Sequence, residues 1–275
     1  MTLKKIGAIG AAAILALSLS ACASSSGTNL SALKIGIKFD QPGLGLKEGD
    51  KYTGFDVDVA TYIAGKLGTP ADKITWVQAP SANRETLIQS GQVDLVVATY
   101  SINDERKAKV SFAGPYFVAG QSLLVRADDN SITGVDSLAG KKLCSVTGST
   151  SAQKIKDKVP GVNLQEFGTY SECVAALAAD SKKIDALTTD DTILAGFAAQ
   201  PQYKDKLKLV GGTFSVEKYG VGLMKGNTDL CNKVTDAIKT MISDGSWQKA
   251  VDTNLGPADF KPNPEYNPPT PEACS

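Results

Sequence analysis

The sequence predicts an α/β protein made of two successive units, each a mostly parallel sheet flanked by helices. Three observations carry this reading. From Leu33 onward, short apolar runs alternate with amphipathic stretches, the strand-helix-strand rhythm of parallel sheets. That rhythm breaks off at the polar, turn-rich "ADDNSITGVDSLAG" and then restarts. The 275 residues, at 42% hydrophobic and 21% charged, are an ordinary globular composition, enough for two domains of moderate size.

In the first unit, "LKIGIK" reads as a strand. "GFDVDVATYIAGKLG" follows as a helix, with Phe55, Val59, Ile63 and Leu67 on one face and Gly68 as its stop. "ITWVQ", "VDLVVAT" and "QSLLVRA" read as further strands, with the helix "RETLIQSG" between the first two. The second unit runs strand "KKLCSV", helix "STSAQKIKDKV", strand "VNLQEF", helix "SECVAALAAD", strand "IDALTT", helix "DTILAGFAAQ". Then come a strand, "YGVGLMKG", two helices, "TDLCNKVTDAIKTMISDG" and "SWQKAVDTNL", and a proline-rich tail that cannot propagate helix. "GLGLKEG" has neither the GxGxxG spacing nor a phosphate-loop lysine, so no nucleotide site is expected.

The 29 basic and 29 acidic side chains balance, which gives no reason to expect a nucleic-acid partner. The chain contains no histidine. That removes the commonest general base, every Ser-His or Cys-His nucleophile pair and most transition-metal sites, so neither a metal, a cofactor nor an enzymatic activity is expected.

At the N-terminus, "MTLKK" and an apolar run too short for a full membrane span lead into Leu19-Ser20-Ala21-Cys22. This tetrapeptide resembles the lipobox of bacterial lipoproteins, which implies a signal peptide over residues 1–21 and a lipid on Cys22. Residues 22–32 would form a flexible tether, with the protein held at the cell membrane on its extracellular face. Four cysteines remain, an even number in an exported chain, and disulfides are expected. Spacing alone allows three pairings. Cys144 and Cys173 fall in the same unit, whereas Cys231 opens a late helix and Cys274 lies in the tail. Shared location therefore predicts Cys144–Cys173 and Cys231–Cys274.

In open parallel sheets ligands bind beyond the carboxyl ends of the strands. Lys38 stands at such an end, as do Thr99 and Ser101, with Arg106 just downstream; Thr150 lies in the helix-opening "GSTS", and Asp190 follows the strand "IDALTT". Each has an ordinary alternative: helix capping for Ser149, Thr150 or Asp190, and solvation for Lys38 or Arg106. Their shared position on one side of a sheet favours a site.

Four stretches in order, "GFDVDVATYIAGKLG", "LIQSGQVDLVVATYSINDERKAKVSFAGPY", "LAGKKLCSVTGSTS" and "KIDALTTDDTIL", resemble the extracellular family 3 solute-binding proteins of polar amino-acid ABC importers, over roughly residues 33–255. The resemblance implies a two-lobed, type II periplasmic-binding-protein-like fold joined by two hinge strands. Lobe 1 would comprise 33–125 and 219–260, lobe 2 would comprise 126–218, and 261–275 would be a tail. It further implies a monomer that binds a polar amino acid and delivers it to membrane permease subunits. By matching position, Arg106 would pair with the ligand's α-carboxylate, Thr99, Ser101 and Thr150 would donate hydroxyl contacts, and Asp190 would accept from the α-ammonium. Lys38 and Arg84, in "SANRET", would read the ligand's side chain. Set against Asp190 alone, Lys38, Arg84 and Arg106 leave a charge of +2, which suits a second carboxylate. An unpaired desolvated charge costs about 3–5 kcal/mol, a preference of about a hundredfold or more over a neutral ligand. "KIGIKFDQPGLGLKEG" is similar to actinobacterial glutamate-binding lipoproteins, which points to L-glutamate before aspartate or glutamine. A sensing module and a cyclic amino-acid dehydratase are the more distant alternatives. Phe39 and Tyr52 are the only aromatics of the first loop that could form a lid.

Overall fold

The computed structural model describes Thr2, residues 28–179 and residues 183–275. Cys22, most of the tether and all but Thr2 of the expected signal peptide lie outside the described residues.

Lobe 1 begins with β1 (Lys34–Ile37), followed by a small antiparallel meander of β2 (Asp40–Gln41), β3 (Gly45–Glu48) and β4 (Lys51–Thr53). The meander occupies what reads in sequence as a glycine-rich loop. Its signal is the two-residue turn Gly49-Asp50, which joins β3 to β4. Helix α1 (Phe55–Leu67) ends on Gly68 in the left-handed conformation, whose N–H reaches Ala64 O and Gly65 O. β5 (Thr75–Gln78), α2 (Arg84–Gln89), β6 (Leu95–Val96), α3 (Asp104–Lys107) and β7 (Ser111–Ala119) complete the first pass. Every residue of β7 is buried, with Gly114-Pro115 at its centre, and this strand is absent from the elements expected above.

The chain then crosses to lobe 2: β8 (Gln121–Arg126), β9 (Lys142–Val146), α4 (Thr150–Lys158), β10 (Asn163–Phe167), α5 (Tyr170–Ala178), β11 (Ala186–Asp190), α6 (Asp191–Ala198) and β12 (Leu207–Val210). It returns to lobe 1 through β13 (Glu217–Leu223), α7 (Thr228–Ser243) and α8 (Ser246–Asn254).

The two sheets have orders β5-β1-β6-β13-β7 and β10-β9-β11-β8-β12. In each, three adjacent strands pair parallel, and one strand, β13 in the first sheet and β8 in the second, lies antiparallel to both of its neighbours. The first crossing falls at Gly120: Ala119 pairs with Glu217 in lobe 1, while Gln121 pairs with Asp190 in lobe 2. Residues 121–125 therefore belong to lobe 2, a correction to the boundary expected at 125/126. Reading β8 as one more strand of the first unit ignored its pairing with β11 and β12.

Phe55, Phe117 and Trp247 form the aromatic centre of lobe 1, with ring centroids 5.4–6.2 Å apart, and the Trp247 indole donates to Tyr116 O at 2.7 Å. The tail does not fray. Both backbone groups of Val118 bond the Asn267 amide, Ser275 and Phe112 exchange backbone hydrogen bonds, and Glu272 bridges to Gly114. The tail thereby covers the otherwise open edge of β7. Disulfides join Cys144 to Cys173, between β9 and α5, and Cys231 to Cys274, between α7 and the tail.

Candidate functional site

The carboxyl ends of both sheets face one another across a closed cleft. Between them lies a small cavity of about 10 Å³, nearly closed up, lined from lobe 1 by Arg84, Thr99 and Arg106 and from lobe 2 by Thr150, Tyr170 and Asp190, among others.

Arg106 sits in α3, whose N-cap Asn103 accepts from the Arg106 N–H at 2.8 Å. Its side chain is buried, not a solvated loop charge. Nη1 donates to Ser101 O at 2.7 Å and Nη2 donates across the cleft to Gly148 O at 3.1 Å, while Nε lies 3.4 Å from Glu85 Oε1. A guanidinium has five N–H donors, so one remains on each terminal nitrogen, the pair that a carboxylate takes at two points.

Arg84 opens α2 and is only 2% exposed. Nε makes a long bond to Ala79 O at 3.4 Å, and among the described residues no carboxylate lies within 4.0 Å of its guanidinium. It is the cation of the cavity that lacks an acidic partner.

Thr99 holds a left-handed backbone, φ 47°, which costs a non-glycine residue energy unless its surroundings fix it. Asp56 does so: Oδ2 accepts the Thr99 N–H at 2.9 Å and Oδ1 accepts the Tyr116 hydroxyl at 2.8 Å. Burial pushes Asp56 up to about 6, against those two hydrogen bonds. Sequence reading missed this residue; its signal was an aspartate on the buried face of α1, between Phe55 and Val57.

In lobe 2 the capping alternatives resolve cleanly. Ser149 is the cap of α4, accepting from the Ala152 N–H at 3.0 Å, which leaves the Thr150 hydroxyl to meet Ser101 Oγ at 3.2 Å across the cleft. The first-turn N–H groups of α4 have no intrahelical acceptor and point to the anion-favouring end of the helix. Asp190 precedes α6 but makes no capping bond. Its Oδ2 accepts from the Tyr219 hydroxyl at 2.7 Å and its Oδ1 from Ser151 Oγ at 3.4 Å. Burial, and next the charge of Glu217, push Asp190 up to about 8. Glu217, on the returning hinge strand, is itself ion-paired with Lys154 of α4.

Lys38 and Ser101 do not line the cavity. The Lys38 ammonium is buried 3.7 Å from Asp40 and 5.7 Å over the ring of Tyr170, and burial pulls it down to about 8. Asp40 and Glu85 thus offset Lys38 and Arg106, and the +2 counted from sequence omitted both. With both included the count falls to zero, and Arg84 is the one of the three cations without a carboxylate within 4.0 Å among the described residues. Tyr52 packs at a tilt against both Phe39 and Trp76 within lobe 1, with ring centroids 5.4 and 5.6 Å away; the aromatic at the cavity is Tyr170, from the opposite lobe.

The seam closes tightly. The Ser171 N–H and hydroxyl bond Asp40 Oδ2 at 3.3 and 3.4 Å, and Gly196 of α6 abuts the first loop, where a Cβ would stand 2.2 Å from Pro42 O.

The family model of bacterial extracellular solute-binding proteins, family 3, matches residues 33–257. The chain belongs to this family. Among relatives of this family 3 protein, the glutamate-binding protein GluB of Corynebacterium glutamicum is 45% identical, with 93% of this chain and 92% of the relative covered. The ABC transporter glutamine-binding protein GlnH of Bacillus subtilis is 35% identical, covering 90% and 96%. An ancestral arginine-binding protein solved with bound glutamine superposes with a TM-score of 0.76 at 35% identity, covering 82% of this chain and 98% of the other. The family 3 fold, two α/β lobes about a cleft, is the fold seen here.

Proposed function

We propose that this family 3 protein captures L-glutamate between its lobes and delivers it to an ABC importer. One observation carries the ligand choice: Arg84 is a cavity-lining guanidinium with no carboxylate partner among the described residues. Arg106 and the N-terminus of α4 take the α-carboxylate, Asp190 takes the α-ammonium, and Arg84 takes the distal carboxylate. Asp190 then ionises against a cation, which offsets the cost of its burial. Because these groups come from both lobes, the ligand binds the closed arrangement more tightly and shifts the hinge toward it. The 45% identity to a glutamate-binding protein supports the same ligand. Lys38 contributes through Tyr170 and Asp40, one layer out.

Calorimetry on residues 23–275 tests this directly. Glutamate is expected to bind at least about a hundredfold more tightly than glutamine, the figure that follows from stranding Arg84 without a partner. Tighter binding of glutamine, the ligand named for two of the relatives above, would transfer the assignment to it. Binding is expected without turnover, and recovery of unchanged ligand checks that.

The sequence Leu19-Ser20-Ala21-Cys22 supports a lipid anchor on Cys22 that keeps the protein beside its permease at the outer face of the membrane. Cys22→Ser is expected to release the protein from the membrane fraction and to abolish labelling by a radioactive fatty acid.

A further inference from the structure

Two guanidinium groups buried in one lobe repel each other, yet a ligand with two carboxylates requires them in a fixed relation. Arg84 and Arg106 stand on the same ring. The Cζ of Arg84 lies 5.1 Å from the centroid of Tyr100, and the Cζ of Arg106 lies 4.9 Å from it, both within cation–π range. The two heads can be no farther apart than the sum of those distances.

Tyr100 is fully buried and does not line the cavity, so it acts on a ligand only through its neighbours. Its ring is pinned. The hydroxyl donates to Glu85 Oε1 at 2.8 Å, and that same oxygen faces Arg106 Nε. Phe112 abuts the ring at 4.8 Å, and Gly222 of β13 leaves the space the ring fills, since a Cβ there would stand 2.6 Å from Tyr100 Cε1. Burial, and next the charge of Arg106, work against the charge on Arg84, whereas a guanidinium 5.1 Å from the centroid of an aromatic ring is attracted to the ring's negative face.

The geometry assigns Tyr100 as a specificity-determining positioning residue: its ring spaces the two guanidinium groups and so sets the length of dicarboxylate the cleft accepts. This rests on the reading that Arg106 and Arg84 each take one carboxylate. A ligand with its carboxylates one methylene closer together leaves one head short of contact, and a distal amide does not answer the charge that the ring stabilises.

The test measures binding of glutamate, aspartate and glutamine by calorimetry to the wild type and to proteins carrying phenylalanine or pentafluorophenylalanine at position 100. Pentafluorophenylalanine keeps the ring's shape and reverses its quadrupole. Relative to Tyr100→Phe, it is expected to lower the glutamate-over-glutamine ratio about tenfold and to narrow the gap between glutamate and aspartate. Tyr100→Leu, which removes the ring, carries the same expectation by a route independent of fluorination. Unchanged ratios, in proteins that unfold cooperatively, would overturn the role of Tyr100 while leaving the ligand assignment standing. A wild type with no preference for glutamate over glutamine would overturn the ligand assignment, and this role with it.

Discussion

The two lobes meet at one cavity but bring opposite chemistry to it. Lobe 1 supplies fixed positive charge: Arg84 and Arg106, one from each of two short helices, steadied by Tyr100 and Glu85. Lobe 2 supplies hydroxyls, the N-terminus of α4, the Tyr170 ring and a single carboxylate, Asp190. Lobe 1 is thus built to choose a ligand by charge, whereas lobe 2 is built to complete and orient what lobe 1 holds. A ligand that satisfies only one of them gains nothing from closure.

The most severe break in this division is Arg106→Ala. It removes the proposed α-carboxylate clamp and the bond to Gly148 across the cleft, and glutamate and glutamine are both expected to weaken by about a hundredfold or more, measured by calorimetry. Arg84→Ala sharpens the comparison, since glutamate is expected to weaken about a hundredfold and glutamine by less than about tenfold. An equal loss for both would return Arg84 to a structural role.

A milder effect comes from lobe 2. With Asp190 pushed up to about 8 from an ordinary 3.8, the unliganded fold binds a proton there that the unfolded chain has released. Its stabilising contribution is therefore full near pH 4 and is lost as pH rises toward 8. Asp56 and Asp191, both raised to about 6, add the same slope at the lower end. Asp190→Asn is expected to flatten the part above pH 6, read from thermal unfolding midpoints. In the wild type, glutamate binding at pH 6 is expected to release close to one proton, read by calorimetry in buffers of different ionisation heat.

The smallest effect on the ligand is expected from Cys231→Ser with Cys274→Ser. This disulfide closes a separation of 43 residues, so its loss is expected to cost about 4 kcal/mol of stability. The preference for glutamate over glutamine should not move, because no residue of the tail lines the cavity.

Much of this was legible in the sequence because the repeating apolar pattern and the placement of polar residues at strand ends follow directly from sheet geometry. Thr99, Arg106, Thr150 and Asp190 stand at the cavity for that reason, whereas Arg84, at the start of a helix, was legible only through the family resemblance. Asp40 and Glu85 were not legible as partners, since ion pairing depends on side-chain direction and not on spacing. Lys38 was misplaced in the same way: its strand-end position is right, but Tyr170, contributed by the other lobe, stands between it and the cavity. β7 was missed because glycine and proline interrupt the apolar run, and what holds the segment extended is its pairing with β13, a strand about a hundred residues later.

The sheet order also bears on how the chain acquires its shape. Lobe 2 is a single uninterrupted stretch, whereas the sheet of lobe 1 has β13 lodged between β6 and β7. A ribosome must deliver residue 223 before that sheet can close, by which time every strand of lobe 2 has emerged. We therefore expect lobe 2 to become protected from hydrogen exchange first during refolding, with lobe 1 waiting on its last strand.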